Sequence, residues 1–255
     1  MDFIISADTD IGNTRKTNQD SVAVLIADTG TEPIAFGIVC DGMGGLAKGE
    51  LASATLINAM VSWFKKELPQ LILNGIDDSI IREQWTAIVR DNNTIIKEYG
   101  TNNGFNLGTT IAAILLTQNR YYAINVGDSR IYEIFNEVEQ ITEDQTVVAQ
   151  ELKYGRLTEE QAKKDPRNSV LLQCVGASQV VNPDFFFGTT KKDAMYMLCS
   201  DGFRHEINNQ DIFNYFQPEV NNDAATMANN IRTLIDINKQ RMEKDNISAA
   251  LIRTF

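Results

Sequence analysis

Four aspartates in this 255-residue chain share one local grammar. Asp41 follows Ile38-Val-Cys and precedes Gly42, and Asp201 follows Met197-Leu-Cys-Ser and precedes Gly202. Asp128 closes Ile124-Asn-Val-Gly, and Asp245 precedes Asn246 and the run Ile247-Ser-Ala-Ala-Leu-Ile. Each acid sits at one end of an apolar, strand-like run, where the rim of a sheet would present it. A lone Asp-Gly is an ordinary turn. Several carboxylates brought together repel one another and hold protons, and divalent cations relieve that repulsion. With oxygen donors and a single histidine in the chain, Mg²⁺ or Mn²⁺ suits such a group better than Zn²⁺.

The elements that must position these acids can be read from periodicity. Phe3 to Thr9 reads as a strand. Asp8 and Asp10 beyond it do not make a calcium loop, because Gly12 has the wrong offset and Gln19 stands where a bidentate glutamate is needed. Ser21–Asp28 and Ile34–Asp41 read as antiparallel neighbours across a turn-rich link. A helix over Glu50 to Leu68 carries Leu51, Ala54, Met60, Phe64 and Leu68 and is stopped by Pro69. A second helix, about Ser79 to Tyr99, carries Ile81, Trp85, Ile88, Ile95 and Tyr99 toward the core. Gly108–Leu116, Arg120–Val126 and Arg130–Phe135 are strands, with Gln118-Asn119 and Gly127-Asp128-Ser129 as hairpin turns. Thr146 to Tyr154 is helical, and Thr158-Glu-Glu-Gln has the capping-box pattern of a second short helix. Ala194–Ser200 and Ile247–Arg253 are late strands. Ala224 to Met242 between them is a helix with Met227, Ile231, Leu234 and Ile235 on one face. Helices thus fall in pairs between groups of hairpin-linked strands, the pattern of an antiparallel α+β fold, and residues 1–255 read as one domain.

Composition narrows the partners. A net charge of −11 argues against nucleic acid and against anionic membrane as main partners, since both demand a positive footprint. Cys40, Cys174 and Cys199 each lie in apolar stretches and read as buried thiols. No signal peptide or spanning segment is evident, which implies a cytoplasmic protein. A rival reading takes Gly42-Met-Gly44-Gly-Leu-Ala47 as a G-x-G-x-x-A dinucleotide loop. It would set Asp41 beside a pyrophosphate, and no acid closes a second strand about twenty residues on. A phosphate loop of the G-K-[ST] kind fails because Glu50 follows Gly49.

Taken in order, these segments resemble the metal-dependent protein phosphatases of the 2C type, in particular their compact bacterial members. The resemblance rests on Arg15-Lys-Thr-Asn-Gln-Asp20, Asp41-Gly-Met-Gly-Gly with Gly49-Glu50 and Ala52-Ser53, Gly108-Thr-Thr, and Val126-Gly-Asp-Ser-Arg130. It continues through Ile141-Thr-Glu-Asp, Gly176, Cys199-Ser-Asp-Gly-Phe and Asp245-Asn-Ile-Ser. It implies a four-layer α-β-β-α sandwich of two mostly antiparallel sheets flanked by helix pairs, with a flap at about 145–182. It further implies hydrolysis of phosphoserine and phosphothreonine in substrates of a serine/threonine kinase, by a monomer using a water between two Mn²⁺ or Mg²⁺ ions. On this resemblance Asp41 and the Gly42 carbonyl, with Asp201 and Asp245, would hold the two ions. Asp20 would order the attacking water, and Arg15 would bind the substrate phosphate. Asp128 would hold a third, weaker ion, with Ser169 or the neighbourhood of Asp20 contributing.

The chain departs from the family pattern in places. Met43 and Leu46 stand where many relatives carry a histidine that serves as general acid. The only histidine, His205, reads as a surface residue, and Arg204 reads as a solvated charge. Asp165-Pro166 stands where relatives often have His-Pro. The missing histidine keeps open a second function, a catalytically weak module that binds phosphoproteins.

Overall fold

In the computed structural model, which describes residues 1–30, 32–44 and 48–255, the strands form two antiparallel sheets. One runs β1 (Phe3–Asp10), β11 (Ile247–Thr254), β10 (Met195–Cys199), β7 (Arg130–Ile134), β8 (Val138–Gln140). The other runs β2 (Asp20–Asp28), β3 (Pro33–Gly44), β5 (Ile111–Leu116), β6 (Tyr121–Val126), β9 (Asp184–Gly188), with β4 (Leu107–Thr109) pairing the end of β3. Helices α1 (Gly49–Lys66), α2 (Leu68–Asn74) and α3 (Asp78–Asn103) cover the second sheet, and α7 (Asn209–Phe216) and α8 (Ala224–Gln240) cover the first. Between β8 and β9 lie α4 (Val147–Lys153) and α5 (Glu159–Ala162), and α6 (Asp201–Arg204) follows β10 directly. This is the four-layer arrangement expected from the sequence.

The middle strands are buried on both faces, which is why they read as continuous apolar runs. In β3, Phe36, Ile38 and Cys40 pack beneath the helices with Met60, Trp63, Phe64 and Trp85. Ala35 and Val39, with Ala112 and Ile114 of the neighbouring β5, face the other sheet, against Leu198, Ala250 and Ile252. Side chains alternate along a strand, so Asp41 continues the row of Ala35 and Val39 into the layer between the sheets. Asp20 is its direct partner in register on β2. Ser200 continues the row of Leu198, and Ser248 that of Ala250 and Ile252. At one end of the sandwich the apolar filling therefore gives way to polar groups contributed by both sheets.

Four readings of the chain are corrected by the packing. The buried face of α3 is Ile81, Trp85, Val89 and Ile96, while Ile95 and Tyr99 are exposed. Asn92 and Asn93 occupy that face and interrupt its apolar pattern; Asn93 Oδ1 accepts from the Gly176 N–H at 2.7 Å. On α1 the core residues are Ala52, Leu56, Met60, Trp63 and Phe64, and Leu51 is exposed. Pro69 stands in the first turn of α2, where its missing N–H costs nothing, so the helical path continues beyond it. Gly127-Asp128-Ser129 is not a hairpin turn: β6 and β7 belong to different sheets, and these residues carry the chain across between them. The dinucleotide reading also fails: among the described residues β3 has only antiparallel neighbours and no βαβ crossover follows it. Of its fingerprint, Gly45, Leu46 and Ala47 lie outside the described residues.

Candidate active site

The polar end of the sandwich gathers the acids singled out from the sequence. Asp41 is clamped through its backbone, its N–H donating to Thr110 Oγ1 at 2.9 Å and its carbonyl accepting from the Thr110 N–H at 2.9 Å. Asp20 is buried, and its Oδ2 accepts from the hydroxyls of Ser200 at 2.9 Å and Ser248 at 2.6 Å. Asp201 opens α6 immediately after β10. A Cβ on Gly202 would fall 2.2 Å from the carbonyl of Asn246 and 3.2 Å from Asp245 Cβ, so glycine there lets α6 lie against the turn that carries Asp245. Gly42 is equally confined: a Cβ would lie 2.3 Å from the Gly49 carbonyl oxygen and 2.5 Å from that of Gln19.

Asp245 is set by its neighbour. Asn246 Nδ2 donates to the carbonyls of Ile11 and Thr17 at 2.9 and 3.2 Å, and its Oδ1 accepts from the Gln19 N–H at 2.9 Å. These bonds tie the start of β11 to the loop carrying Arg15, whose Nη2 reaches Asp245 Oδ2 at 2.6 Å. Arg15 is about half exposed, so its guanidinium is free to leave this partner. Asp128 lies on the crossover between β6 and β7, buried beside Asp201.

Burial and crowding show in the proton affinities. Burial, then repulsion from Asp20, Asp201, Asp128 and Asp245, holds the Asp41 carboxyl well above the usual carboxylate range. Burial pushes Asp20 up to about 7 against the pull of the two serine hydroxyls, with Asp201 and Asp245 adding repulsion. Burial and Asp201 raise Asp128 to about 6, and Arg204 opposes them. Such a cluster binds cations or protons.

Among the described residues no three His, Cys, Asp or Glu side chains close on one point as a ready-made cage. The donor chemistry nevertheless fits hard divalent ions. Asp201 Oδ1 is buried with no hydrogen-bond partner among the described residues, an oxygen left for a cation. The acids around it supply only oxygen, as Mg²⁺ and Mn²⁺ prefer.

Comparison with known proteins agrees with this geometry. The family model "Protein phosphatase 2C" matches residues 13–235. The chain belongs to the protein phosphatase 2C family. Its activity class is accordingly that of a protein phosphatase. It is 28% identical over 251 residues to protein phosphatase PhpP of Streptococcus pneumoniae, covering 97% of this chain and 96% of that protein. Its fold matches the serine/threonine phosphatase of S. agalactiae with a TM-score of 0.85 and 28% identity, over 99% of this chain and 100% of that one. It also matches the catalytic domain of the serine/threonine phosphatase PstP, solved in complex with two manganese ions, with a TM-score of 0.79 and 27% identity over 98% and 97% of the two chains.

Within this family framework the departures take on definite surroundings. Met43 pairs with Gly108 inside the β3–β4 ladder, and Leu46 lies outside the described residues. His205 is partly exposed as expected, but it is not a free surface group: Nδ1 lies 3.4 Å from Glu243 Oε2 and Nε2 lies 3.5 Å from Asp201 Oδ2. Burial lowers its proton affinity, and the bond to Glu243 with the charge of Asp201 more than offsets this, leaving its pKa raised. Arg204 is not a solvated charge. It is largely buried between Asp128 and Asp144, a pairing invisible in the sequence because Asp144 lies between β8 and α4, far along the chain from α6. Asp165 turns to its own neighbour Arg167, accepting from that residue's backbone N–H and guanidinium. Ser200, Ser248 and Asn246 sit inside motifs already noted, and alternation along β10 and β11 was the available signal for the two serines.

Proposed function

We propose that this rim hydrolyses phosphoserine and phosphothreonine esters in protein substrates, with Asp41, the Gly42 carbonyl, Asp201 and Asp245 holding two Mn²⁺ or Mg²⁺ ions. The observation that carries the reading is the convergence of Asp20, Asp41, Asp201 and Asp245 from both sheets onto one rim beside Arg15. Two divalent ions there would supply charge neutralisation and a water acidic enough to attack phosphorus at neutral pH. Arg15 is positioned to leave Asp245 for an incoming phosphate, whose two oxygens its planar fork can bind together. Asp20, locked by two serine hydroxyls, is a fixed acceptor at the back of the rim, able to orient the attacking water. Its carboxylate is worth most there when cations keep it ionised.

We infer that the chain acts as a monomer. The three cysteines are buried and free, in keeping with a reducing cytoplasm. Among the described residues no helix is long and apolar enough to cross a membrane. We also infer one catalytic domain over residues 1–255, with substrates supplied by a serine/threonine kinase. Residues 145–182 form its flap, pinned at bridges between Thr146 and Leu171 and between Thr109 and Val175.

The test is hydrolysis of para-nitrophenyl phosphate and of a phosphothreonine peptide with and without Mn²⁺. Turnover that depends on Mn²⁺ and disappears in Asp41→Asn is expected. Peptide binding without turnover at saturating Mn²⁺ would refute the enzyme and select the binding module.

A further inference from the structure

A line of alternating charge runs from the base of the flap to Asp128, and hydrolysis as described makes no use of it. Arg130 Nε and Nη2 donate to the two carboxylate oxygens of Asp144 at 2.7 and 2.6 Å. Arg204 Nη2 lies 3.7 Å from Asp144 Oδ2, donates to the Asp128 backbone carbonyl at 3.1 Å and stands 3.5 Å from Asp128 Oδ2. The side chains of Arg204 and Asp128 are only 13% and 8% exposed. Arg204 Nε is buried with no hydrogen-bond partner among the described residues, so the guanidinium is held by its far edge, against the two acids. The group borders a cavity of about 860 Å³ that extends under α4 and α5 and includes Ser169.

The two arginines and two aspartates balance in charge. A divalent ion on Asp128 would need to approach its oxygens to about 2.0–2.6 Å. It would then face, at close range, a guanidinium that does not deprotonate in proteins. The two cations compete for one carboxylate, and the arginine is covalently present at every metal concentration.

We infer that Arg204 takes the place of a third divalent ion at Asp128, so that this chain works with the core pair of ions alone. The inference rests on the reading that Asp41, Asp201 and Asp245 hold two ions.

It is tested by counting bound Mn²⁺ on the full chain, by isothermal titration calorimetry and by the electron paramagnetic resonance signal of free Mn²⁺. Wild type and Asp128→Asn are expected to bind two ions each up to millimolar Mn²⁺. Arg204→Met is expected to gain one further ion, at least tenfold tighter than any third event in wild type. That gain should vanish in Arg204→Met/Asp128→Asn and be absent in Arg204→Lys, which keeps the charge. A third ion in wild type that Asp128→Asn removes overturns the inference, as does Arg204→Met binding no more Mn²⁺ than wild type. Should Arg204→Met fail to fold, the wild-type and Asp128→Asn pair decides alone: equal stoichiometry upholds the inference and loss of an ion refutes it. Failure of the two-ion reading has its own signature, Mn²⁺ binding unaffected by Asp41→Asn, and that result overturns both.

Discussion

Replacing Asp20 with Asn should stabilise the metal-free protein, although Asp20 belongs to the catalytic rim. The carboxyl is buried and its pKa is pushed from 3.8 up to about 7, so at pH 8 folding must hold an ionised group in surroundings that favour the neutral one. At about 1.4 kcal/mol per tenfold change in proton affinity, the cost is at most about 4 kcal/mol. Because the folded-state pKa is the higher one, the folded chain binds more protons than the unfolded chain between pH 4 and 7. Stability therefore falls as pH rises through that window and is fully present only below it. Asparagine retains an oxygen to accept from Ser200 and Ser248 and never ionises. Thermal melts in chelator should show Asp20→Asn higher in Tm by about 10 °C at pH 8, at about 2–4 °C per kcal/mol for a domain of this size. The two proteins should converge near pH 4.5, and saturating Mn²⁺ should narrow the gap at pH 8. Asp20→Asn melting at or below wild type at pH 8, or a gap of the same size at both pH values, would refute the reasoning.

Mn²⁺ affinity of the wild type should weaken below pH 7 by up to about tenfold per pH unit for each proton displaced, in isothermal titrations, as protons compete for Asp20 and Asp41. Gly202→Ala places a Cβ 2.2 Å from the Asn246 carbonyl oxygen and should part Asp201 from Asp245; Mn²⁺ affinity should fall at least about tenfold while circular dichroism stays native. Arg15→Ala should raise KM for a phosphothreonine peptide by about 10- to 100-fold, the worth of a charge-assisted contact, and initial-rate kinetics would show it. Trp85→Ala removes a fully buried ring packed on Trp63 and Phe36 and should cost about 3–5 kcal/mol in denaturant unfolding without altering Mn²⁺ stoichiometry.

Local pattern made much of this protein legible. The apolar strand runs, the helical stripe Met227-Ile231-Leu234-Ile235 and the capping box at Thr158 depend on residues close in sequence, and each stands in the structure as read. The acids at strand ends pointed as far as divalent cations, and the ordered motifs around Asp41, Asp201 and Asp245 named the chemistry through their resemblance to the phosphatase family. Where a buried face carried polar residues, as at Asn92 and Asn93, hydropathy pointed to Ile95 and Tyr99 instead. The pairing of Arg204 with Asp128 and Asp144 lay beyond any local pattern. Their juxtaposition depends on β6 and β7 leaving for different sheets at Gly127, a choice set by packing across the whole sandwich. Residue types and spacing determined which elements present acids at their ends and that oxygen donors of this kind suit divalent cations. Which cation each acid meets was decided only by the tertiary structure, because ion pairing acts through space over a few ångströms and takes no account of the 76 positions that separate Asp128 from Arg204.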